Sequence, residues 1–261
     1  MREMKADIKE YAIPENVLTS LLLDRTTGKN ILWGCEDYGY PCDSSIELAQ
    51  IADGTVIVPR FAKSSQVSNG RKKGKGEVFT PLVIVKKQND IVDEGFVGTW
   101  EDYIRRTVLE ITCGEAPYLV NRYDVVTGEV MLLSERQGML DRKLARVSEN
   151  TETEQDWKDN AIIALKSTYG FEWQGDSLLI ARENILETWK DYFYQKFPNG
   201  SITIEEEIEL ATIISYNLIQ MDAISCYIPY LKIPAKVMNW EANQHELFKP
   251  SLNEQLSLFE N

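Results

Sequence analysis

Three acidic residues stand at or just after apolar runs that are typical of buried strands: Glu110, Glu172 and Asp222. The first is followed by Cys113-Gly114, where the chain can turn tightly because glycine has no Cβ. In doubly wound sheets, ligands bind beyond the carboxyl ends of the strands, and an acid after the second strand accepts hydrogen bonds from ribose hydroxyls. Taken singly, each acid is better explained as a surface or capping residue. Together with the glycine turn, the three acids favour a site for an adenosine-containing ligand.

The elements that must position these residues alternate between helices and strands. Thr80 and Pro81 have the form of a helix N-cap followed by proline at the first helical position. A capping box at Thr151 and Glu154 predicts a helix that runs to about Lys166. The other predicted elements are strand-like runs at 30–34 and 54–59, a strand over 169–173, a helix through 178–189, a helix over 203–217, a strand ending at Asp222 and one strand within 235–248. This alternation predicts an α/β sheet with crossover helices.

Composition narrows the class of protein. A chain of 261 residues with 43% hydrophobic content can bury a sizeable core. It has no apolar run long enough for a membrane span and no signal-peptide pattern at its start, so we expect a soluble cytoplasmic protein. The four cysteines have no C-x-x-C spacing and His245 is the only histidine, which argues against a disulfide framework and a zinc site.

Charge is distributed unevenly along the chain. The net charge of -13 argues against nonspecific binding of polyanions, because such binding needs clustered lysine and arginine. One segment, 60–76, nevertheless holds six cationic residues and no acid. It is either a solvated flexible loop or a loop that becomes ordered on nucleic-acid phosphates. In the second interpretation the DNA-binding residues are Arg71, Lys72, Lys73 and Lys75.

Four segments, taken in order, resemble a known family. They are "GEVFTP", "VLEITCGEAPYLVNRYD", "YGFEWQGDSLLIARENIL" and "NLIQMDAIS". They look like the successive cofactor motifs of S-adenosylmethionine-dependent N6-adenine DNA methyltransferases, and more narrowly of the methylase subunits of type II restriction-modification systems. The resemblance runs from about Gly76 to Ser225. It implies a Rossmann-like methyltransferase sheet with flanking helices over 76–261, preceded by an N-terminal extension over 1–75 that contains the basic loop.

The resemblance also implies a cofactor pocket for S-adenosylmethionine. Glu172 would hold the ribose, and Asp222 would accept a hydrogen bond from the adenine amino group of the cofactor. The helix start would face the methionine end, and the turn after the first strand would let the methionyl part lie against the backbone. The residues assigned to the pocket are Thr80, Pro81, Glu110, Cys113, Gly114, Glu172 and Asp222.

The chain departs from the family pattern at two places. The usual second glycine of the cofactor turn is Ala116, which is the next smallest side chain. The catalytic tetrapeptide, Asn or Asp followed by Pro-Pro and an aromatic residue, is missing. The nearest substitute is Asn239-Trp240, which supplies an acceptor for the target amino group and a ring to stack on a flipped base. The alternative interpretation of this pair is a strand end with a packing tryptophan.

Two functions therefore follow from the sequence. In the first, the protein is a compact adenine DNA methyltransferase that acts on double-stranded DNA, with Asn239 and Trp240 as catalytic residues. In the second, it is a noncatalytic cofactor-binding or DNA-recognition subunit that needs a partner chain of a restriction-modification system.

Overall fold

Three parallel strands form the central sheet of the computed structural model, which describes residues 13–51, 56–63 and 80–248. The strands are β1 (Val108–Ile111), β2 (Thr168–Glu172) and β3 (Leu218–Gln220), and they pair in the order β1-β2-β3. Because all three run in the same direction, their carboxyl ends lie at one edge of the sheet. Parallel pairing requires long crossover connections, and helices supply them here.

The described residues contain eight α-helices. They are α1 (Glu15–Leu22), α2 (Leu48–Ile51), α3 (Leu82–Asp93), α4 (Trp100–Arg105), α5 (Met139–Asn150), α6 (Glu154–Lys166), α7 (Gly175–Lys196) and α8 (Ile204–Asn217). The connection from β1 to β2 passes through α5 and α6, and the connection from β2 to β3 passes through α7 and α8. The predicted α/β class is confirmed.

Helix starts follow local capping chemistry, although not always at the predicted residue. The Thr203 hydroxyl accepts the backbone N–H of Glu206, whose carboxylate accepts the N–H of Thr203, so a capping box starts α8. The capping box predicted at Thr151 is wrong. Thr153 caps α6 by accepting the N–H of Asp156, whereas Thr151 is the C-cap residue of α5 and its hydroxyl donates to the Val147 carbonyl.

The helix α3 begins one residue later than predicted. Pro81 is its N-cap residue and makes no side-chain capping bond, so Thr80 does not cap the helix. Val85 is fully buried, whereas Ile91 is 66% exposed. One side of α3 therefore presents apolar residues to solvent.

The two outer strands of the sheet are covered to different extents. Beside β3, the Gln220 side chain accepts the N–H of Leu32 at 2.7 Å and donates to the Leu32 carbonyl at 2.8 Å. The N-terminal segment is thus held against β3 through this side chain. Among the described residues β1 pairs with β2 alone, and its residues Leu109 and Ile111 are 39% and 57% exposed.

The N-terminal residues share one hydrophobic core with the rest of the chain. Helix α1 contributes Val17 and Leu21 to the same buried cluster as α5, α6, α7 and α8. The buried Arg182 of α7 donates to the carbonyl of Leu218 in β3 and to that of Leu21 in α1, which ties these elements together. The domain boundary predicted at residue 75 lies outside the described residues.

Two antiparallel hairpins follow the sheet. They are β4 (Tyr227–Ile228) with β5 (Ile233–Pro234), and β6 (Lys236–Asn239) with β7 (Gln244–Leu247). The segment 235–248 thus holds two strands where one was predicted. Of the strand-like runs near the N-terminus, 30–34 contributes isolated bridges and the described part of 54–59 forms no strand.

Candidate functional site

The carboxyl ends of the three parallel strands open into one cavity of about 680 Å³. Six of the seven residues assigned to the cofactor pocket line it, and they are Thr80, Glu110, Cys113, Gly114, Glu172 and Asp222. The seventh, Pro81, adjoins Thr80 as the N-cap of α3 and is exposed. The structure therefore brings together side chains that lie as far apart in the sequence as Thr80 and Asp222.

The turn after β1 has an uncommon backbone. Thr112, Gly114 and Ala116 have φ angles of 56°, 55° and 63°, so every second residue lies in the left-handed region. This conformation costs little at glycine but roughly 1–2 kcal/mol at other residues. Ala116, which stands where the family has its second glycine, adopts the conformation with its side chain fully buried. Such strain is concentrated at ligand sites in proteins.

The Glu172 carboxylate bonds two backbone segments that line the cavity. Its Oε2 accepts the backbone N–H of Gly114 at 2.8 Å, and its Oε1 accepts that of Gln174 at 2.9 Å. One carboxylate therefore joins the turn after β1 to the turn after β2. An ionised carboxylate accepts hydrogen bonds at both oxygens, and this one also lines the cavity.

Glu110 and Gln174 are polar side chains of the cavity that each have a buried oxygen without a partner among the described residues. In Glu110 this oxygen is Oε2, while Oε1 accepts the N–H of Tyr118 at 3.3 Å. Burial raises the pKa of Glu110 well above its ordinary value, and the nearby Glu172 raises it further. A buried carboxyl oxygen without a partner is costly, which marks a place for a polar group of a ligand.

Cys113 lies between these two acids, and its thiol is almost fully buried. Burial is the main cause that raises the pKa of the Cys113 thiol well above its ordinary value, and the charges of Glu110 and Glu172 add to it. The thiol therefore stays neutral and acts as a small packing group and not as a nucleophile.

Asp222 borders the cavity from the loop after β3. Its Oδ1 accepts the N–H of Ile224 at 3.0 Å, and its Oδ2 accepts the Ser225 hydroxyl at 2.6 Å. The side chain is half-buried, so it both caps its own loop and faces the cavity.

Three aromatic residues line the cavity, Tyr118, Trp173 and Tyr230, and none of them was predicted to do so. Trp173 and Tyr230 line it with ring centroids 5.6 Å apart in an edge-to-face arrangement. Tyr230 is 49% exposed, has a φ of 64°, and its hydroxyl approaches the Gly34 carbonyl at 3.4 Å. In the sequence, Tyr230 is marked only by the single proline that precedes it, Pro229, shortly after Asp222. A search for two consecutive prolines before an aromatic residue does not find it.

Asn239 and Trp240 lie away from this cavity, near the amino ends of the strands. The Asn239 side chain accepts the N–H groups of Glu241 and Ala242, and it donates to Glu246 across the β6–β7 hairpin. Trp240 donates its indole N–H to Asn217 at 2.7 Å, immediately before β3. The two side chains serve the hairpin and its packing, because β6 ends at the opposite end of the sheet from Gly114.

The predicted DNA-binding residues lie outside the described residues. They are Arg71, Lys72, Lys73 and Lys75. On either side of them the described chain returns to the neighbourhood of the cavity. Lys63 pairs with Asp176 at 2.8 Å, two residues beyond the cavity residue Gln174, and Thr80 lines the cavity itself.

Comparison of the chain with protein-family models, with curated proteins and with solved structures finds no match. Within the residues that the structure describes, histidine, cysteine and acidic side chains form no group suited to holding a metal ion. No helix in this part of the chain combines the length and apolar character needed to cross a membrane.

Proposed function

We propose that this chain binds S-adenosylmethionine in the cavity and takes part in methylating adenine N6 in double-stranded DNA, within a cytoplasmic restriction-modification system. One observation carries the proposal: six of the seven residues that the family resemblance assigns to the cofactor line a single cavity at the carboxyl ends of parallel strands. The strand order β1-β2-β3, with a glycine turn after β1 and an acid after β2, also suits one half of a Rossmann-like sheet.

The chemistry of the side chains fits the cofactor. Glu172 supplies a carboxylate of the kind that binds ribose hydroxyls, and Asp222 supplies an acceptor for the adenine amino group. The unpartnered Oε2 of Glu110 suits a polar group of the methionyl part. When bound, S-adenosylmethionine supplies an electrophilic methyl group, and the chain's own residues hold it and present it to the acceptor base.

The aromatic rings suggest where the acceptor base lies. Enzymes that modify a base in DNA extrude it from the helix and stack it on aromatic side chains. The aromatic residues of the cavity are Tyr118, Trp173 and Tyr230, and Tyr230 is the most exposed of them. We therefore assign the stacking role to Tyr230, and we assign no catalytic role to Asn239 and Trp240.

One feature of the fold favours the second candidate function, a subunit that needs a partner chain. Parallel sheets are normally covered on both faces, yet β1 has exposed Leu109 and Ile111 and no second neighbouring strand among the described residues. A groove lies between β1 and α3, and Glu110 and Ile111 line both this groove and the cavity. A partner that covers β1 would therefore also extend the wall of the cavity.

Calorimetric titration with S-adenosylmethionine tests the cofactor assignment. We expect binding by the full chain, and we expect Glu172→Gln to weaken it by roughly 1–3 kcal/mol through loss of a charged acceptor. Glu246→Gln on the exposed β6–β7 hairpin is the matched control and leaves affinity unchanged. No heat of binding to the folded wild-type chain would contradict the proposal.

Transfer of a tritiated methyl group to double-stranded DNA separates the two candidate functions. Activity of the chain alone, lost in Tyr230→Ala with cofactor binding kept, supports a complete methyltransferase. Activity that requires the product of a neighbouring gene supports the subunit function.

Replacing Arg71, Lys72, Lys73 and Lys75 with alanine should weaken DNA binding and flatten its salt dependence, because fewer counterions are released.

A further inference from the structure

The segment 56–63, which we call the strap, contacts residues that lie next to the lining of the cavity. Its Arg60 N–H donates to Glu115 Oε1 at 2.6 Å. Its Lys63 Nζ bonds Asp176 Oδ2 at 2.8 Å, and these two side chains are only 5% and 0% exposed. Both acids are adjacent or nearly adjacent to residues that line the cavity.

The two contacts reach both turns that Glu172 joins. Glu115 follows Gly114, whose N–H bonds Glu172. Asp176 lies in the first turn of α7, two residues after Gln174, whose N–H bonds the same carboxylate. The strap therefore joins the same two backbone segments that Glu172 joins, through a second set of contacts.

Further partners make each anchor of the strap specific. The other oxygen of Glu115 accepts the Tyr123 hydroxyl at 2.8 Å, and Asp176 also accepts the Tyr38 hydroxyl at 2.7 Å. Phe61 of the strap packs edge-to-face on Tyr123 with ring centroids 5.4 Å apart. A Cβ on Gly128 would lie 2.5 Å from the Phe61 ring, so the strap also depends on a glycine at a distance from the cavity.

Breaking a buried ion pair from one side is strongly destabilising, so loss of Lys63 perturbs Asp176 and the start of α7 directly. Loss of the Arg60 contact leaves one Glu115 oxygen without its donor, next to the strained turn at Gly114. Either loss should disturb the hydrogen bonds from the Gly114 and Gln174 N–H groups to Glu172, because Glu115 and Asp176 lie next to these groups in the chain.

We propose that the strap is a positioning element for the cavity: Arg60 and Lys63 hold Glu115 and Asp176, and through them Gly114 and Glu172, in the ligand-binding arrangement. Strap docking and ligand binding then strengthen each other, since coupling between two sites is reciprocal. For the identity of the ligand this inference rests on the proposed function; the link between strap and turns stands on the ligand-free protein.

Hydrogen exchange on the full chain without ligand is the first test. In Lys63→Met we expect faster exchange in residues 56–63 and also at the Gly114 and Gln174 amides. Gly128→Ala displaces Phe61 without touching the cavity, and it should have the same effect if Lys63→Met fails to fold. Gly95→Ala is the control, because Gly95 has a φ of 82° and a Cβ there meets no described neighbour.

Titration with S-adenosylmethionine is the second test. We expect the ligand to slow exchange of the strap in the wild type, and we expect Lys63→Met or Gly128→Ala to weaken binding by about tenfold, with Lys63→Arg restoring most of it. A merely structural role would lower thermal stability and leave affinity of the folded variants unchanged. A loosened strap with unchanged exchange at Gly114 and Gln174 overturns the inference. Failure of the wild type to bind overturns the proposed function instead.

Discussion

Both ends of the parallel sheet bury polar groups, but they satisfy them differently. At the amino end, Lys143 Nζ donates to the Arg106 carbonyl and to oxygens of Ser167 and Thr168. Beside it, Asn217 donates to three carbonyls and accepts the Trp240 indole. At the carboxyl end, Glu110 keeps a buried oxygen without a partner among the described residues.

The difference separates stability from binding. Satisfied networks make a fold specific and stable, whereas strain and missing partners persist where function requires them. The amino end thus holds the helices to the strands, and the carboxyl end keeps acceptors ready for a ligand. Substitutions at the two ends should affect different measurements.

The largest effect is expected from Lys143→Met. The side chain is 1% exposed, and its removal leaves several buried oxygens without their donor. We expect the free energy of unfolding to fall by about 3 kcal/mol in urea titrations, because the buried acceptors lose their donor. Lys86→Met, which breaks an exposed pair with Asp90, is the control and should change it by less than about 0.5 kcal/mol. Equal effects of the two changes would break the comparison.

A smaller loss is expected from Asn217→Leu, which removes three donated bonds and leaves the Trp240 indole without its acceptor. Stability should fall by about 2–3 kcal/mol, while Trp240→Phe, which removes one bond, should cost about 1 kcal/mol. Ligand affinity of the folded variants should match that of the wild type, because both residues lie at the amino end. A weakened affinity would show that the two ends are coupled.

At the carboxyl end, Glu110→Gln should raise stability at neutral pH by about 0.5–2 kcal/mol and weaken ligand binding. Because its pKa is raised in the folded state, wild-type Glu110 opposes folding once the pH exceeds the ordinary carboxyl pKa. The gain should therefore grow as pH rises and vanish in acid below that ordinary value. Thermal melts across pH 3 to 8 measure it, and a stability loss at pH 7 contradicts the comparison.

The smallest effect is expected from Ala116→Gly. Relief of the left-handed φ of 63° favours the variant by about 1 kcal/mol, and loss of a buried methyl opposes it by about 0.8 kcal/mol. The net change should stay near zero. Ala164→Gly in α6 removes an equally buried methyl from a helix, where glycine costs about 1 kcal/mol more, so it should be clearly destabilising. Matching losses in paired urea titrations would show that the turn is unstrained.

Sequence reasoning succeeded where local rules decide the structure. The helix over 203–217 was predicted, and so were the strands ending near Glu110, Glu172 and Asp222, which follow from their apolar runs. Their convergence followed from parallel strands alone, because such strands end at one edge of a sheet.

The remainder depended on contacts that local rules do not contain. The strand β7 has four exposed residues and therefore no alternation of polar and apolar side chains to reveal it. Tyr230 reaches the cavity beside Gly34, which lies 196 residues away in the chain. The choice of Thr153 over Thr151 as a cap depended on where the preceding helix ends, because Thr151 is the C-cap residue of α5.

The bond between Leu32 and Gln220 spans 188 residues, and the one between Leu21 and Arg182 spans 161. During synthesis at about 5–20 residues per second, Leu32 leaves the ribosome roughly 10–40 s before Gln220 does. Over that interval the apolar face of α1, with Val17 and Leu21, has neither α8 nor β3 to pack against. The nascent chain therefore carries an unprotected hydrophobic segment at its beginning, which is the kind of segment that molecular chaperones bind.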